Sequence, residues 1–123
     1  NLHISATIMN QDDDFESYEM TTRLLKEHPE INALYFTAGG VYGGCRAVIA
    51  SGRQYDIKIF TYDMVETTKQ MIEQGLIAAT ICQQPLLQGS KPLDILFENL
   101  TTGKSPQSEF NYVDIDIRIK ENL

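Results

Sequence analysis

The sequence predicts an α/β fold in which a mainly parallel sheet is flanked by helices, making three layers. Short apolar runs alternate along the chain with stretches whose apolar residues recur at helical spacing. Such alternation is typical of right-handed strand–helix–strand units. Gly, Pro and Asp residues separate the segments, and the length of 123 residues corresponds to one domain.

The spacing of apolar residues predicts each element in order. The predicted strands are 4–9, 33–37, 58–62, 77–82 and 112–119. The predicted helices are 15–27, 45–51, 64–74 and 85–100. Asp14 is the expected N-cap of the first helix, and Gly52 and Gly75 are expected to end the second and third. The run 33–37 is continuously apolar, as in a strand covered on both faces, whereas 112–119 alternates and indicates an edge strand.

Composition and charge exclude several function classes. Acidic residues number 17 against 10 basic ones, which gives a net charge of −7 and argues against contacts to nucleic-acid phosphates. No apolar run approaches the roughly 18 residues of a membrane span, so no membrane partner is expected. Cys45 and Cys82 are isolated, as expected of free buried thiols in a reducing compartment. His3 and His28 lie far apart, so neither a metal site nor a cofactor is predicted.

In open parallel sheets, ligands bind at the carboxyl ends of the strands. Asp63 ends the third predicted strand, and its carboxylate could accept ligand hydroxyls or could cap the following helix. The ring of Tyr62 could stack on a sugar or fill the core. Gln83 follows the fourth strand, and its amide suits a neutral polar ligand, with a solvated connection as the alternative.

The other strand ends carry a glycine-rich turn and an acidic loop. The turn is Gly39–Gly40–Val41–Tyr42–Gly43–Gly44. Its glycines precede a helix, so their bare amides could bind an anion, or the glycines could form a tight turn that lets the helix approach the strand. Their spacing matches neither the dinucleotide fingerprint nor the Walker A loop. Asp12 could contact a ligand or belong to a solvated turn. No catalytic triad or Cys–His pair is apparent, so no enzyme activity is predicted.

Three segments resemble type I periplasmic binding proteins, the ribose-binding branch above all. They are EHPEINALYF at 27–36, IKIFTYD at 57–63 and MIEQGLIAATICQQP at 71–85. The resemblance covers nearly the whole chain and about the second half of the family's length. It implies the C-terminal lobe of a fold whose two lobes close on a sugar, with 1–84 and 114–123 in one lobe and the helix and loop 85–113 belonging to the other.

The same resemblance implies roles for particular residues. Asp63 would bind sugar hydroxyls, Tyr62 would stack on the ring, Gln83 would donate or accept near the hinge, and Asp12 would face the ligand. Ala38 and Gly39 stand where the family often has Asn-Asp. Gly39 and Gly40 would then offer backbone amides to the ligand instead, or the site would admit a bulkier or differently charged ligand.

The fold is shared by LacI-type (lactose-repressor family) transcriptional regulators and by extracytoplasmic sugar-binding proteins of ABC importers. The unpaired cysteines and the ending 116–122, which is similar to the last strand of the regulators, favour the effector-binding domain of a cytoplasmic, homodimeric regulator. Such a regulator would reach DNA only through a helix-turn-helix that this chain lacks. The importer protein is the alternative. A phosphoacceptor receiver domain is disfavoured, since Gln83 and Gln84 stand where a hydroxyl residue is needed.

The predicted helix 85–100 has an apolar face that would lose its cover without the other lobe. The face comprises Leu93, Leu96, Phe97 and Leu100. Leaving these side chains in water would cost on the order of 6 kcal/mol, at roughly 1.5 kcal/mol each. The helix is therefore expected to fold back on its own sheet or to dock on a second copy, and the isolated chain is expected to bind sugar weakly.

Overall fold

A computed structural model describes residues 2–123 and contains one four-stranded sheet in the order β1-β2-β3-β4. The strands are β1 (Ala33–Tyr35), β2 (Lys58–Tyr62), β3 (Ile77–Cys82) and β4 (Asp116–Arg118). The helices are α1 (Asp14–Glu27), α2 (Val41–Ala50), α3 (Glu66–Glu73) and α4 (Pro85–Thr102), followed by a 3-10 turn at Lys120–Asn122. The first three strands are parallel, and β4 runs antiparallel to β3 at the edge. The mainly parallel sheet and its C-terminal edge strand are confirmed.

The predicted strand at 4–9 does not form. Within residues 2–123 these positions make no backbone hydrogen bond to another part of the chain, and Ile4 is 80% exposed. β1 opens the sheet with β2 as its neighbour. A strand persists only where a neighbouring strand satisfies its N–H and C=O groups, so the apolar pattern of 4–9 is not enough by itself. The last strand is likewise shorter than predicted, because only Asp116–Arg118 pairs with β3.

The core lies between the helices and one face of the sheet. Cys45 and Val48 from α2, Ile59 from β2 and Ile72 from α3 are fully buried there. Both cysteines are free, but only Cys45 is buried, and Cys82 is half-buried at the end of β3. The expectation of two buried thiols is therefore correct for one of them.

The glycine-rich turn is largely helical. α2 begins at Val41 instead of Cys45, so Gly43 and Gly44 lie in its first turn. A Cβ atom on Gly43 would overlap the backbone carbonyl of Asp14, and one on Gly44 would overlap the ring of Phe36. The missing side chains let the amino end of α1 and the end of β1 approach α2, which favours the close-packing interpretation of these glycines.

α4 forms as predicted and runs two residues further, to Thr102. None of its residues is buried, and Leu93 and Phe97 are 66% and 70% exposed. The expectation that this helix folds back on its own sheet is therefore wrong, while docking on a second copy stays a prediction. Among residues 2–123, no helix has both the length and the apolar character that crossing a membrane requires.

Candidate functional site

The carboxyl ends of β2 and β3 bring Asp63 and Gln83 together. Gln83 Nε2 donates to Asp63 Oδ1 over 3.4 Å. The two residues follow neighbouring parallel strands, which places them at one edge of the sheet. A carboxylate only accepts hydrogen bonds, so this contact orients the amide nitrogen of Gln83 towards Asp63.

The backbone of Asp63 is fixed by the neighbouring strand. Its N–H donates to the Ile81 carbonyl over 2.8 Å, and its own carbonyl accepts the buried hydroxyl of Thr80 at 2.9 Å. α3 begins at Glu66 with Val65 as its N-cap, so the helix-cap interpretation of Asp63 is wrong. The carboxylate is exposed, and among residues 2–123 the Gln83 amide is its one side-chain partner.

Strained backbone conformations concentrate at this edge. Four non-glycine residues in the described part of the chain have φ in the left-handed region: Gln11 (50°), Asp12 (59°), Asp63 (64°) and Gln84 (51°). All four lie in the loop before α1 or directly after β2 and β3. Such conformations cost of the order of 1 kcal/mol each and cluster where side chains must be aimed at a ligand. The strain marks this edge independently of any sequence motif.

The acidic loop is tied to the glycine-rich turn after β1. Asp12 Oδ1 accepts the Gly39 N–H at 2.8 Å, and Asp14 Oδ1 accepts the Gly43 N–H at 3.0 Å. Gly40 has φ +76°, a conformation that favours glycine. The Gly39 and Gly43 amides are thus already bound by carboxylates of this chain, which argues against the anion-binding interpretation.

The N-cap of α1 differs from the sequence expectation. Asp13 caps the helix, with its Oδ1 accepting the Glu16 N–H at 2.8 Å. Asp14 is instead the first helical residue, and its carboxylate serves the contact to α2. Each of the three consecutive aspartates accepts a hydrogen bond from a different backbone amide. The sequence pattern alone does not show which aspartate binds which amide.

Two aromatic rings lie beside the polar edge. Tyr62 ends β2 and is half-buried, so it does not simply fill the core. The ring of Tyr35, at the end of β1, lies 5.9 Å from the Tyr62 ring and is tilted by 55°. Tyr35 and Tyr62 therefore form a small aromatic surface next to Asp63. Stacking of Tyr62 on a ligand remains a prediction.

Sequence reasoning missed two positioning residues. Asn10 donates through Nδ2 to the Gly39 carbonyl at 3.2 Å and accepts the Asp12 N–H at the same distance, which joins the first loop to β1. Thr80 holds the carbonyl of Asp63. The available signal was a polar residue inside the otherwise apolar run 77–82, since a buried hydroxyl needs a partner.

Burial disfavours the thiolate form of both cysteines. Burial raises the pKa of Cys45 to about 12, with a smaller contribution from Asp14, so its thiol stays protonated at neutral pH. Burial also raises the pKa of Cys82. Within residues 2–123, no group of three His, Cys, Asp or Glu residues could hold a metal ion.

A groove adjoins the candidate site on the side of α4. It has a volume of about 780 Å³ and lies between α4 and residues 106–115. Gln83 lies on its wall together with Gln88 and Lys91. Gln83 is therefore shared between the strand-end edge and this groove, at the point where the chain leaves the sheet.

The parallel sheet flanked by helices, with a polar edge at the carboxyl ends of its strands, matches the type I periplasmic-binding-protein fold. The family described as a periplasmic binding protein domain matches residues 1–105. The chain belongs to this family.

Individual relatives support the assignment. The chain is 30% identical over 93 residues to a D-ribose/D-allose-binding protein of Pseudomonas aeruginosa PAO1. This alignment covers 73% of this chain and 28% of that protein. It is 25% identical over 107 residues to the D-allose-binding periplasmic protein of Escherichia coli K12, and this alignment covers 83% of this chain and 34% of that protein. The chain thus spans about a third of the length of these relatives.

Solved structures show the same fold. GanP, a glucose-galactose binding protein from Geobacillus stearothermophilus, superposes with a TM-score of 0.83 at 24% identity, over 93% of this chain and 40% of its own. AraP, an arabinose binding protein from the same organism, also superposes with a TM-score of 0.83 at 24% identity, over 97% of this chain and 43% of its own.

Proposed function

We propose that this chain forms one wall of a sugar-binding cleft in a two-lobed, non-enzymatic binding protein. The observation that carries the proposal is the contact between Asp63 and Gln83 at the edge where the strained residues gather. Strand-end edges are where open α/β sheets bind ligands. The matched relatives named for D-ribose and D-allose support a sugar.

The chemistry of the edge suits a ligand rich in hydroxyl groups. The Asp63 carboxylate accepts two or more hydrogen bonds, and the neighbouring amide of Gln83 adds a further acceptor. The half-buried ring of Tyr62 offers an apolar face for the C–H surface of a sugar ring. The Gly39 N–H is already hydrogen-bonded to the Asp12 carboxylate. These two residues would therefore border the ligand without supplying many free donors.

For the whole protein, we favour the extracytoplasmic sugar-binding component of an ABC importer. The support is the similarity to the D-allose-binding periplasmic protein of Escherichia coli. In such a protein, residues 85–113 would belong to the second lobe of the cleft, and the rest of that lobe would come from another part of the protein.

The effector-binding domain of a LacI-type regulator is the second candidate. Two free thiols favour it, because unpaired cysteines are commoner in a reducing compartment. This regulator would be a cytoplasmic homodimer, and its contact with DNA would depend on a helix-turn-helix outside these residues.

A thermal-shift experiment on the full-length protein tests the sugar site. D-Ribose, D-allose, D-glucose, D-galactose and L-arabinose are added in turn, and at least one is expected to raise Tm because it binds only the folded state. Asp63→Asn should lose most of this shift, while the exposed α4 variant Asp94→Asn should keep it. No shift with any of these sugars, or an equal shift in Asp63→Asn, would contradict the proposal.

Cell fractionation separates the two candidates. A C-terminally tagged protein should appear outside the cytoplasm if it serves an importer. Recovery in the cytoplasm, with sugar-dependent binding to DNA upstream of its own gene, would instead establish the regulator.

A further inference from the structure

We propose that Gln88, near the start of α4, is a positioning residue of the candidate sugar site. Its side chain holds the peptide unit that joins Gln83 to Gln84, and thereby sets the direction in which the Gln83 amide meets a ligand. The inference rests on the proposed function and adds a residue that acts on the site without touching the sugar.

The carbonyl group of Gln83 lies beyond the paired part of the sheet. The last paired residue of β3 is Cys82, which stands opposite Asp116 of β4. Among residues 2–123, the one hydrogen-bond donor to the Gln83 carbonyl is the side chain of Gln88, whose Nε2 lies 2.6 Å from the carbonyl oxygen. The Gln88 side chain therefore holds the chain at the point where the strand pairing ends.

Gln88 binds two consecutive carbonyl groups. Its backbone N–H donates to the Gln84 carbonyl over 3.0 Å, and its side chain donates to the Gln83 carbonyl. Because a peptide unit is planar, holding the Gln83 carbonyl restrains ψ of Gln83 and φ of Gln84 together. The φ of Gln84 is 51°, in the left-handed region, where a non-glycine residue persists only if its surroundings hold it. The side chain of Gln88 supplies such a restraint.

The start of α4 lacks the usual capping contact. Gln84 is the N-cap residue, and its side chain forms no hydrogen bond to the helix. Pro85 follows in the first turn and has no N–H to donate. By contrast, Asp13 caps α1 with its own carboxylate. The path by which the chain leaves the sheet thus depends on Gln88.

The orientation of the Gln83 amide depends on this backbone restraint. The contact from Gln83 Nε2 to Asp63 Oδ1 is long, at 3.4 Å, and does not fix the amide by itself. The pairing of Cys82 restrains the backbone before Gln83, and Gln88 restrains the backbone after it. Loss of the Gln88 contact should therefore leave the sheet intact and loosen the Gln83 amide.

Three variants of the full-length protein test the inference. Gln88→Met removes the donor but keeps the length and helix propensity of the side chain. Gln88→Lys restores an N–H donor on a flexible chain. Gln70→Met is the matched control, because it makes the same change on α3, where the amide contacts only the exposed Glu66 at 3.2 Å.

Titration calorimetry with the sugar that gives the largest thermal shift measures the effect on binding. Gln88→Met is expected to bind about threefold to tenfold more weakly than the natural sequence. Gln88→Lys should recover most of the affinity, and Gln70→Met should not change it. Equal affinity in Gln88→Met and the natural sequence, or no recovery in Gln88→Lys, would overturn the inference and leave the sugar site standing.

Nitrogen-15 NMR without sugar reports the peptide unit directly. The backbone N–H of Gln84 shares its peptide unit with the Gln83 carbonyl, so its signal responds to the hydrogen bond from Gln88. This signal and that of the Gln83 side-chain amide should move in Gln88→Met, return in Gln88→Lys and stay in place in Gln70→Met. Unmoved signals in Gln88→Met would overturn the inference. If the natural sequence binds none of the five sugars, the proposed function itself fails and the inference falls with it.

Discussion

The hydroxyl of Thr80 donates to the carbonyl of Asp63 over 2.9 Å and also lies 3.3 Å from the carbonyl of Thr61. This buried side chain of β3 thereby holds the end of β2 in the left-handed turn that presents Asp63. The geometry of the candidate ligand carboxylate depends on a residue that does not itself reach the ligand edge.

Thr80→Val is expected to weaken both folding and binding. The variant keeps the shape of the side chain but leaves the Asp63 carbonyl without its hydroxyl donor, at a cost of about 1–2 kcal/mol. Thr80→Ser retains the hydroxyl and is the matched control. Chemical denaturation and sugar titration of both variants check this, and equal sugar affinity in the two would show that Thr80 does not position Asp63.

Gly43→Ala is expected to destabilise the protein by about 2 kcal/mol or more, since its Cβ would overlap the Asp14 carbonyl where α1 meets α2. Gly89→Ala is the control, because a Cβ at this position in α4 meets nothing within 4 Å. That change should stabilise the helix by up to about 1 kcal/mol. Thermal unfolding should show a lower Tm for Gly43→Ala and an equal or higher Tm for Gly89→Ala. A change of Tm in the same direction for both variants would contradict the close packing of α1 on α2.

The two cysteines are expected to differ in reactivity. At pH 8, iodoacetamide should label the half-buried Cys82 of the native protein and spare Cys45, whose pKa of about 12 keeps it protonated. In denaturant both should react, which serves as the control. Peptide mass spectrometry reads the outcome, and rapid native labelling of Cys45 would show that α2 opens readily.

Stability should fall in alkaline solution partly through Cys45. Its pKa is raised on folding, so between pH 9 and 12 the unfolded chain releases the thiol proton more readily than the folded one. The contribution is therefore complete below pH 9 and is lost as the pH rises towards 12. Unfolding curves across this range should show a shallower decline for Cys45→Ala than for the natural sequence, and an identical slope would contradict it.

The isolated chain is expected to self-associate through α4. Phe97 and Leu100 are 70% and 75% exposed, and covering each would contribute roughly 1.5 kcal/mol. Light scattering after size-exclusion chromatography should show a concentration-dependent dimer that Phe97→Glu combined with Leu100→Glu abolishes, while Asp94→Asn leaves it intact. A monomer at all concentrations would contradict this.

The helices whose ends are marked by local residue preferences were predicted correctly from the sequence. Pro85 at the start of α4 and Gly75 after α3 are terminal residues whose backbone preferences act locally, and these boundaries agree with the structure to within two residues. The predicted strand at 4–9 did not form, because strand pairing is not a local property: the segment has the apolar pattern of a strand but pairs with no strand among the described residues.

The candidate site was predictable in its location but not in its connections. The carboxyl ends of the strands brought Asp63 and Gln83 together because parallel strands end at the same edge. The roles of Thr80 and Asn10 arise from contacts across 17 and 29 residues, which no local pattern encodes. The choice of Asp13 over Asp14 as N-cap also depended on the packing of α2.

Chemical-shift mapping by NMR on the full-length, nitrogen-15-labelled protein tests the central claim most directly. During titration with the sugar that gives the largest thermal shift, the backbone amides of Gly39, Asp63 and Gln83 are expected to move together and to saturate at one ligand concentration. Shifts confined to the surface of α1 and α2, with those three amides unmoved, would contradict the claim that the strand-end edge is the wall of the ligand cleft.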